Sequence, residues 1–329
     1  FLAVLAYLLF FVKNRRVPRI LWMLAIGAVY ACLILSIDIV VEQVHLVEYG
    51  ILGGLFLLPW QRILKDKTSY FAAWACAFSA GIIDELIQYY SPARVGTVPD
   101  ICLNAYASGL SILLIANVLS RNNNAQLVTS SGIRLTSRIF ALSLLLVGGF
   151  ISIVTDYGFL HKDPKIGTFY SHFNIEGLKN ADRLDTEKNI ASVKDLYPVK
   201  MHTYLKDQSA LNKFYAEILV HLFRRDRYVE RGDLWVAYKE HLILDSYFTQ
   251  TLRGSGFDWP PEKLKQIESE MKKAPDSFYE SPVARDDIIV SFGPVTLWGM
   301  ILFGALLSLS VGNSNAILSK FKLASSEKG

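Results

Sequence analysis

Crossing a bilayer takes about 20 apolar residues in helical form, and runs of that kind recur along this chain. They cover Phe1–Val12 (the tail of a span), Ile20–Val40, His45–Trp60, Tyr70–Tyr90, Ile101–Leu119, Ile139–Val154 and Ile289–Val311. A water-soluble fold has no way to bury so many. Charged residues make up 19% of the 329, against about 25% in soluble domains. Disorder, collagen-like repeats and small disulfide scaffolds are excluded on the same grounds. Cys32, Cys76 and Cys102 all fall in apolar runs, so neither a disulfide nor a zinc framework is legible. The chain opens on Phe1 rather than Met, and residues upstream of it are expected.

Charge sets the direction of the spans. Outside Gly158–Asp287 there are fourteen Lys and Arg, and thirteen lie at alternate connections. These are Lys13, Arg15, Arg16 and Arg19; Arg62, Lys65 and Lys67; Arg121, Arg134 and Arg138; and Lys320, Lys322 and Lys328. Only Arg94 lies opposite. The positive-inside rule then predicts seven spans with an outer N-terminus and an inner C-terminus. The expected class is an all-α polytopic membrane protein in a bacterial cytoplasmic membrane. Residues 1–157 would form a six-span bundle, 158–287 an extracytoplasmic domain, and 288–329 a last span with a basic tail.

Most acidic residues outside that domain gather at the outer face: Asp38, Glu42, Glu48, Asp84, Glu85, Asp100 and Asp156. Each ionisable group within a span costs about 2.5–3.5 kcal/mol on insertion scales, so the group as a whole calls for an explanation. His45 shares a helical face with Glu48 and Tyr49, and Gln88 shares faces with Asp84 and Glu85. Asp100, Asn104 and Ser108 follow at four-residue spacing behind Pro99. Gly50 with Gly54, and Ala73, Ala77 and Gly81, offer the small faces that let helices approach closely.

The string His45-x-x-Glu48-Tyr49, then Asp84-Glu85-x-x-Gln88 with Arg94, then Asp100-x-x-x-Asn104, resembles the VanZ-like family of bacterial membrane proteins. It covers roughly residues 40–120. Ala107 stands where that family often carries Gly. The resemblance implies a link to the cell envelope and, in the founding members, to teicoplanin resistance. It implies no settled activity.

Three uses of the cluster remain open. It can be a structural network, since buried carboxylates and amides bond bundles together. It can be a ligand site, with Arg94 gripping a phosphate or carboxylate. It can be catalytic, with His45 or an acid as base and a divalent ion on Asp84, Glu85 and Asp100. No nucleophile motif or metal-ligand spacing sharpens the last, so no catalytic residue and no cofactor is expected. The expected ligand-binding residues are His45, Glu48, Asp84, Glu85, Gln88, Arg94, Asp100 and Asn104. Their ligand would be lipid-linked or a peptide or sugar. No Gly/Pro-broken paired halves mark a transporter.

The Gly158–Asp287 segment holds twenty basic and twenty-one acidic residues, which gives no basic footprint for nucleic acid. Up to about Pro198 it reads as loop with one short helix. Amphipathic patterns then predict helices over Ser209–Tyr228, Asp233–Arg253 and from Asp258-Trp-Pro-Pro-Glu262 to about Lys273. His161, His172, His202, His221 and His241 lack metal-motif spacing and read as ordinary core or surface histidines. Its many aromatic residues suit docking of protein partners, while the spans would contact membrane lipids. The alternative function is therefore an accessory subunit of a larger membrane complex.

Overall fold

The structure, a computed structural model, describes residues 16–37, 40–91, 96–120, 128–197, 213–271, 278–285 and 288–326. Phe1–Val12, Asp38, Arg94 and His202 lie outside the described residues, and so does the side chain of Glu42. Two compact units emerge. One comprises residues up to Tyr89, Gly96–Ile153 and those from Pro294 onward; the other is mainly Val154–Gly293.

The first unit is built of long apolar helices: α1 Arg16–Ser36, α2 Val40–Ile63, α3 Thr68–Tyr89, α4 Val98–Leu114 and α5 Ser130–Val154. The helix that follows the second unit, Pro294–Ser326, completes it. Five of these helices are long and apolar enough to cross a membrane. The remaining one, α2, has the length but carries Glu42, His45 and Glu48 in its first half. Outward-facing side chains such as Leu21, Val47, Ile51, Leu58, Ile87, Leu142 and Phe303 are exposed. A soluble bundle would put polar groups there; lipid is the solvent such a surface suits. The molecule is thus a mostly helical, multi-pass membrane protein.

Small residues set the helix spacing. A Cβ on Gly53 would sit 2.7 Å from the Ser108 carbonyl oxygen, and one on Gly81 would lie 3.1 Å from Asn104 Cβ. These glycines let α2 and α3 press against α4. Gly50 faces the Tyr30 hydroxyl, which donates to the Ala107 carbonyl at 3.0 Å. The α4 helix passes into a π-turn, Ile115–Leu119. Arg19 closes it by donating to the Val118 and Ser120 carbonyls at 3.2 and 2.8 Å, where a cation also suits the helix dipole.

Asp66 clasps the loop between α2 and α3 to the start of α5. It accepts from the amides of Thr68 (2.9 Å) and Thr129 (2.7 Å) and from both their hydroxyls. Burial pushes its carboxyl up, but the Thr129 and Thr68 hydroxyls and amides outweigh that and hold it below the usual range. A depressed folded value means the contribution is present above the unfolded pKa of about 3.9 and lost as pH falls through the folded value. Asp66→Ala is expected to cost about 2–3 kcal/mol, since hydrogen bonds to charged groups are the strong ones. Thermal unfolding in detergent, compared at pH 7 and pH 3, checks both the loss and its fading in acid.

The second unit contains short β-strands, which depart from an all-α chain. The first strand of the unit is β1 Asp156–Tyr157; β2 Phe159–Asp163 and β3 Gly167–Ser171 then pair as an antiparallel hairpin. Its turn is fixed by the Asp163 carboxylate, which accepts from the amides of Lys165 and Ile166, and by Gly167 at φ +115°. The region expected as loop with one short helix is therefore a hairpin followed by two helices, α6 Ile175–Leu184 and α7 Thr186–Leu196. Beyond them come α8 Lys213–Glu230, α9 Leu234–Tyr247, α10 Thr249–Ser255, α11 Pro261–Met271 and β4 Ile288–Ile289; the final helix, Pro294–Ser326, is α12. The chain enters the unit on β1 and leaves on β4, and these two pair in parallel. Phe169, Phe214, Ile218, Leu222, Ile243, Leu244 and Phe248 form its core.

One helix was expected over Asp233–Arg253, but the chain breaks at Phe248. Buried Asp182, on α6, accepts from the amides of Gln250 and Thr251 and from the Thr251 hydroxyl. It caps the new helix from far away in sequence.

Candidate functional site

The N-terminal turns of α2 and α4 and the C-terminal turns of α3 meet at one end of the first unit, and their polar residues form a continuous network. The Asn104 amide nitrogen donates to Glu85 Oε1 at 3.3 Å, and its carbonyl oxygen faces His45 Nδ1 at 3.1 Å. Gln88 donates to Glu85 Oε1 at 3.3 Å and to Asp84 Oδ2 at 3.1 Å. The Tyr49 hydroxyl donates to Asp84 Oδ2 at 3.0 Å, and its ring stacks on His45 with centroids 6.2 Å apart. Glu85 and Asn104 are fully buried and His45 is 5% exposed. Asp84 and Asp100 are half-buried.

Helix ends explain how these groups are held. Thr97 caps α4: its hydroxyl oxygen accepts from the Asp100 amide at 3.2 Å and donates to Asp100 Oδ2 at 2.8 Å. The Thr97 amide in turn donates to Glu85 Oε2 at 3.2 Å. An acid set against a helix N-terminus is favoured by the orphan amides and the dipole. Thus Glu85, from α3, is satisfied by α4.

Of the eight residues expected at the site, six are brought together: His45, Asp84, Glu85, Gln88, Asn104 and, through Thr97, Asp100. Glu48 is exposed on α2 and makes none of these hydrogen bonds. Arg94 lies outside the described residues. Two participants went unassigned. Tyr49 shares the helical face of His45, and Thr97 is a cap residue just before Pro99; both signals are present in the sequence.

The ion pairs among the described residues all belong to the second unit. None reaches Asp84, Glu85 or Asp100. The cluster is acidic, amide-rich and half-open, a composition able to bind hydroxyls, amines or a cation.

Across α2 lies a second feature of the same unit. A cleft of about 1030 Å³ runs between α1, α2 and α4, lined by Met23, Ile26, Ile34, Leu46, Ile51 and Leu114 among others. Its walls are almost wholly apolar, which suits an acyl or isoprenoid chain.

In the second unit the described histidines serve the core. His221 Nδ1 lies 2.5 Å from Glu240 Oε2 and His172 Nδ1 lies 2.7 Å from Glu217 Oε1. His161 meets the Phe173 carbonyl, and His241 stacks on Trp259. Burial, and then the nearby Arg225 guanidinium, push His241 down to about 4, so it is neutral at pH 7. The chain matches no family model, no curated protein and no solved structure.

Proposed function

We propose that this is a VanZ-like, non-catalytic binding protein of the bacterial inner membrane, with the α2/α3/α4 cluster as a headgroup site at the outer leaflet. In this reading the chain spans seven times and Gly158–Asp287 is extracytoplasmic. The carrying observation is the network itself: seven of the nine residues that bear the family resemblance, His45, Tyr49, Asp84, Glu85, Gln88, Asp100 and Asn104, form one connected set inside apolar helices. Asp84, Gln88 and Asp100 receive sugar, amine or peptide groups, while Arg94 holds a phosphate or carboxylate. The apolar cleft across α2 supports a lipid-linked ligand over a free one.

Native mass spectrometry of the protein from its own membrane, in mild detergent, tests this. One envelope lipid class should co-purify, and Asp84→Asn or Arg94→Ala should reduce its occupancy about tenfold, a loss of roughly 1.4 kcal/mol, with the mass and elution profile unchanged. Equal lipid on wild type and both variants overturns the reading.

A second reading, an accessory subunit, is favoured by one patch of the second unit. Phe159, Leu160, Ile175 and Val290 are exposed around a single hollow of about 630 Å³. A fixed multi-protein assembly in the same experiment supports that role.

A further inference from the structure

The polar network fixes more than hydrogen bonds; it fixes which lone pairs are left over. Because the Asn104 amide nitrogen is committed to Glu85 Oε1, its carbonyl oxygen is the atom that faces His45 Nδ1. A carbonyl can only accept, so Nδ1 carries the proton and Nε2 keeps its lone pair. His45 is 5% exposed, and its bond to Asn104 is made through Nδ1. On Asp84, Oδ2 takes both Tyr49 and Gln88, leaving Oδ1 free among the described residues. A buried imidazole with an unspent lone pair therefore stands beside two carboxylates that no described cation balances.

Their spacing is close enough for one ion to gather them. One ring nitrogen of His45 and one carboxylate oxygen from each of Asp84 and Glu85 lie within 4.8 Å of one another. Donors arranged tetrahedrally about one first-row ion at about 2.0–2.2 Å stand about 3.3–3.6 Å apart, so the three close in by up to about an ångström when they bind, a movement within reach of side-chain rotation. The surroundings are those that metal ligands require: a histidine donating its other ring nitrogen to an oxygen, and carboxylates held by further donors. Here Asn104, Gln88, Tyr49 and the Thr97 amide fill those positions.

The geometry points to a divalent first-row cation, Mn²⁺ or Zn²⁺, bound by His45, Asp84 and Glu85 at the meeting of α2, α3 and α4. One nitrogen and two carboxylate oxygens suit such an ion better than Mg²⁺, which favours oxygen ligands and retained water. Three protein ligands leave coordination positions open toward the half-buried side, where an anionic group can join. The site also answers the charge problem of three clustered carboxylates, which a lone arginine meets only in part. It needs nothing of the lipid reading above, and metal alone probes it.

The full chain in mild detergent, stripped with chelator, is titrated with Mn²⁺ and followed by electron paramagnetic resonance, with Zn²⁺ as competitor. One equivalent per chain is expected, with nitrogen coupling in the pulsed spectrum. His45→Gln removes that coupling, and Asp84→Asn and Glu85→Gln each weaken binding at least tenfold. Glu48→Gln, exposed on α2, leaves affinity unchanged. Mn²⁺ binding without any co-purifying lipid, or lipid without Mn²⁺ binding, lets the two proposals fail separately. Should His45→Gln or Glu85→Gln not assemble, half-buried Asp84→Asn and the nitrogen coupling of the wild type carry the test. No stoichiometric binding, no nitrogen coupling, or equal affinity in Asp84→Asn overturns the proposal.

Discussion

Glu240→Ala is expected to unfold the second unit at temperatures where the wild type is native. Glu240 is fully buried on α9, and every one of its bonds reaches another group that is hard to satisfy elsewhere. Oε2 pairs with His221 Nδ1 at 2.5 Å. Oε1 accepts from Arg224 Nε at 2.6 Å, the Tyr279 hydroxyl at 2.6 Å and the Ser281 hydroxyl at 3.1 Å. The carboxylate thus ties α8 and α9 to the segment that leads out of the unit. Removing one member of a buried ionic set costs about 3–5 kcal/mol, because its partners stay buried and uncompensated. Folded domains hold only about 5–15 kcal/mol in total, and for a unit of this size the loss corresponds to roughly 10–20 °C in the unfolding midpoint. Limited proteolysis of the full chain in detergent, with cleavage mapped between Val154 and Gly293, checks it. Tyr279→Phe, which removes one donor, should move the same readout by about 1 kcal/mol.

The same carboxylate makes the unit acid-sensitive. Burial pushes Glu240 up, but His221 first and then Arg224 and Tyr279 outweigh it, so its folded value lies below the ordinary one. A depressed value contributes stability above the unfolded pKa of about 4.3, and that contribution is lost as pH falls through the folded value. Glu240→Gln should therefore be less stable than wild type at pH 7 and converge on it in strong acid.

Gly53→Val should disassemble the α2/α3/α4 site without touching any of its polar residues. A Cβ at Gly53 would lie 2.7 Å from the Ser108 carbonyl oxygen and 3.0 Å from its Cα. Both are backbone atoms of α4, so no rotamer can relieve the overlap and the helices must separate. Overpacking of this kind costs about 1–3 kcal/mol. Since Asn104 lies one turn from Ser108 on α4, its 3.1 Å approach to His45 on α2 goes with it. Lipid co-purification and Mn²⁺ binding should both fall at least tenfold, while Gly149→Val on α5, where a Cβ meets nothing within 4 Å, should leave both intact.

The helices were legible because apolar length is a local property: α1 to α5 and α12 each stand on a run visible in the sequence. So were the polar residues of the site, whose spacing on each helix assigns them a face. Their mutual contact was not, since it depends on Gly53 and Gly81 meeting partners on α4 that no local pattern specifies. Glu48 illustrates the limit. It lies three residues from His45, yet the ring turns inward and the carboxylate stays exposed. The hairpin β2–β3 had a readable turn in Asp163-Pro164-Lys165-Ile166-Gly167, but its five-residue strands carry mixed rather than alternating side chains. The break at Phe248 had no local signal, because its cap, Asp182, comes from α6.

The pairing of β1 with β4 has an architectural consequence. Residues Asp156 and Tyr157 lie beside Ile288 and Ile289, and neighbouring strands are only about 4.8 Å apart. The two ends of a fold of some 130 residues are therefore held side by side, while Trp298 on α12 bonds Ser152 on α5 on its own account. The unit is thus clasped at its own base, and the contact between its flanking helices does not depend on the fold in between.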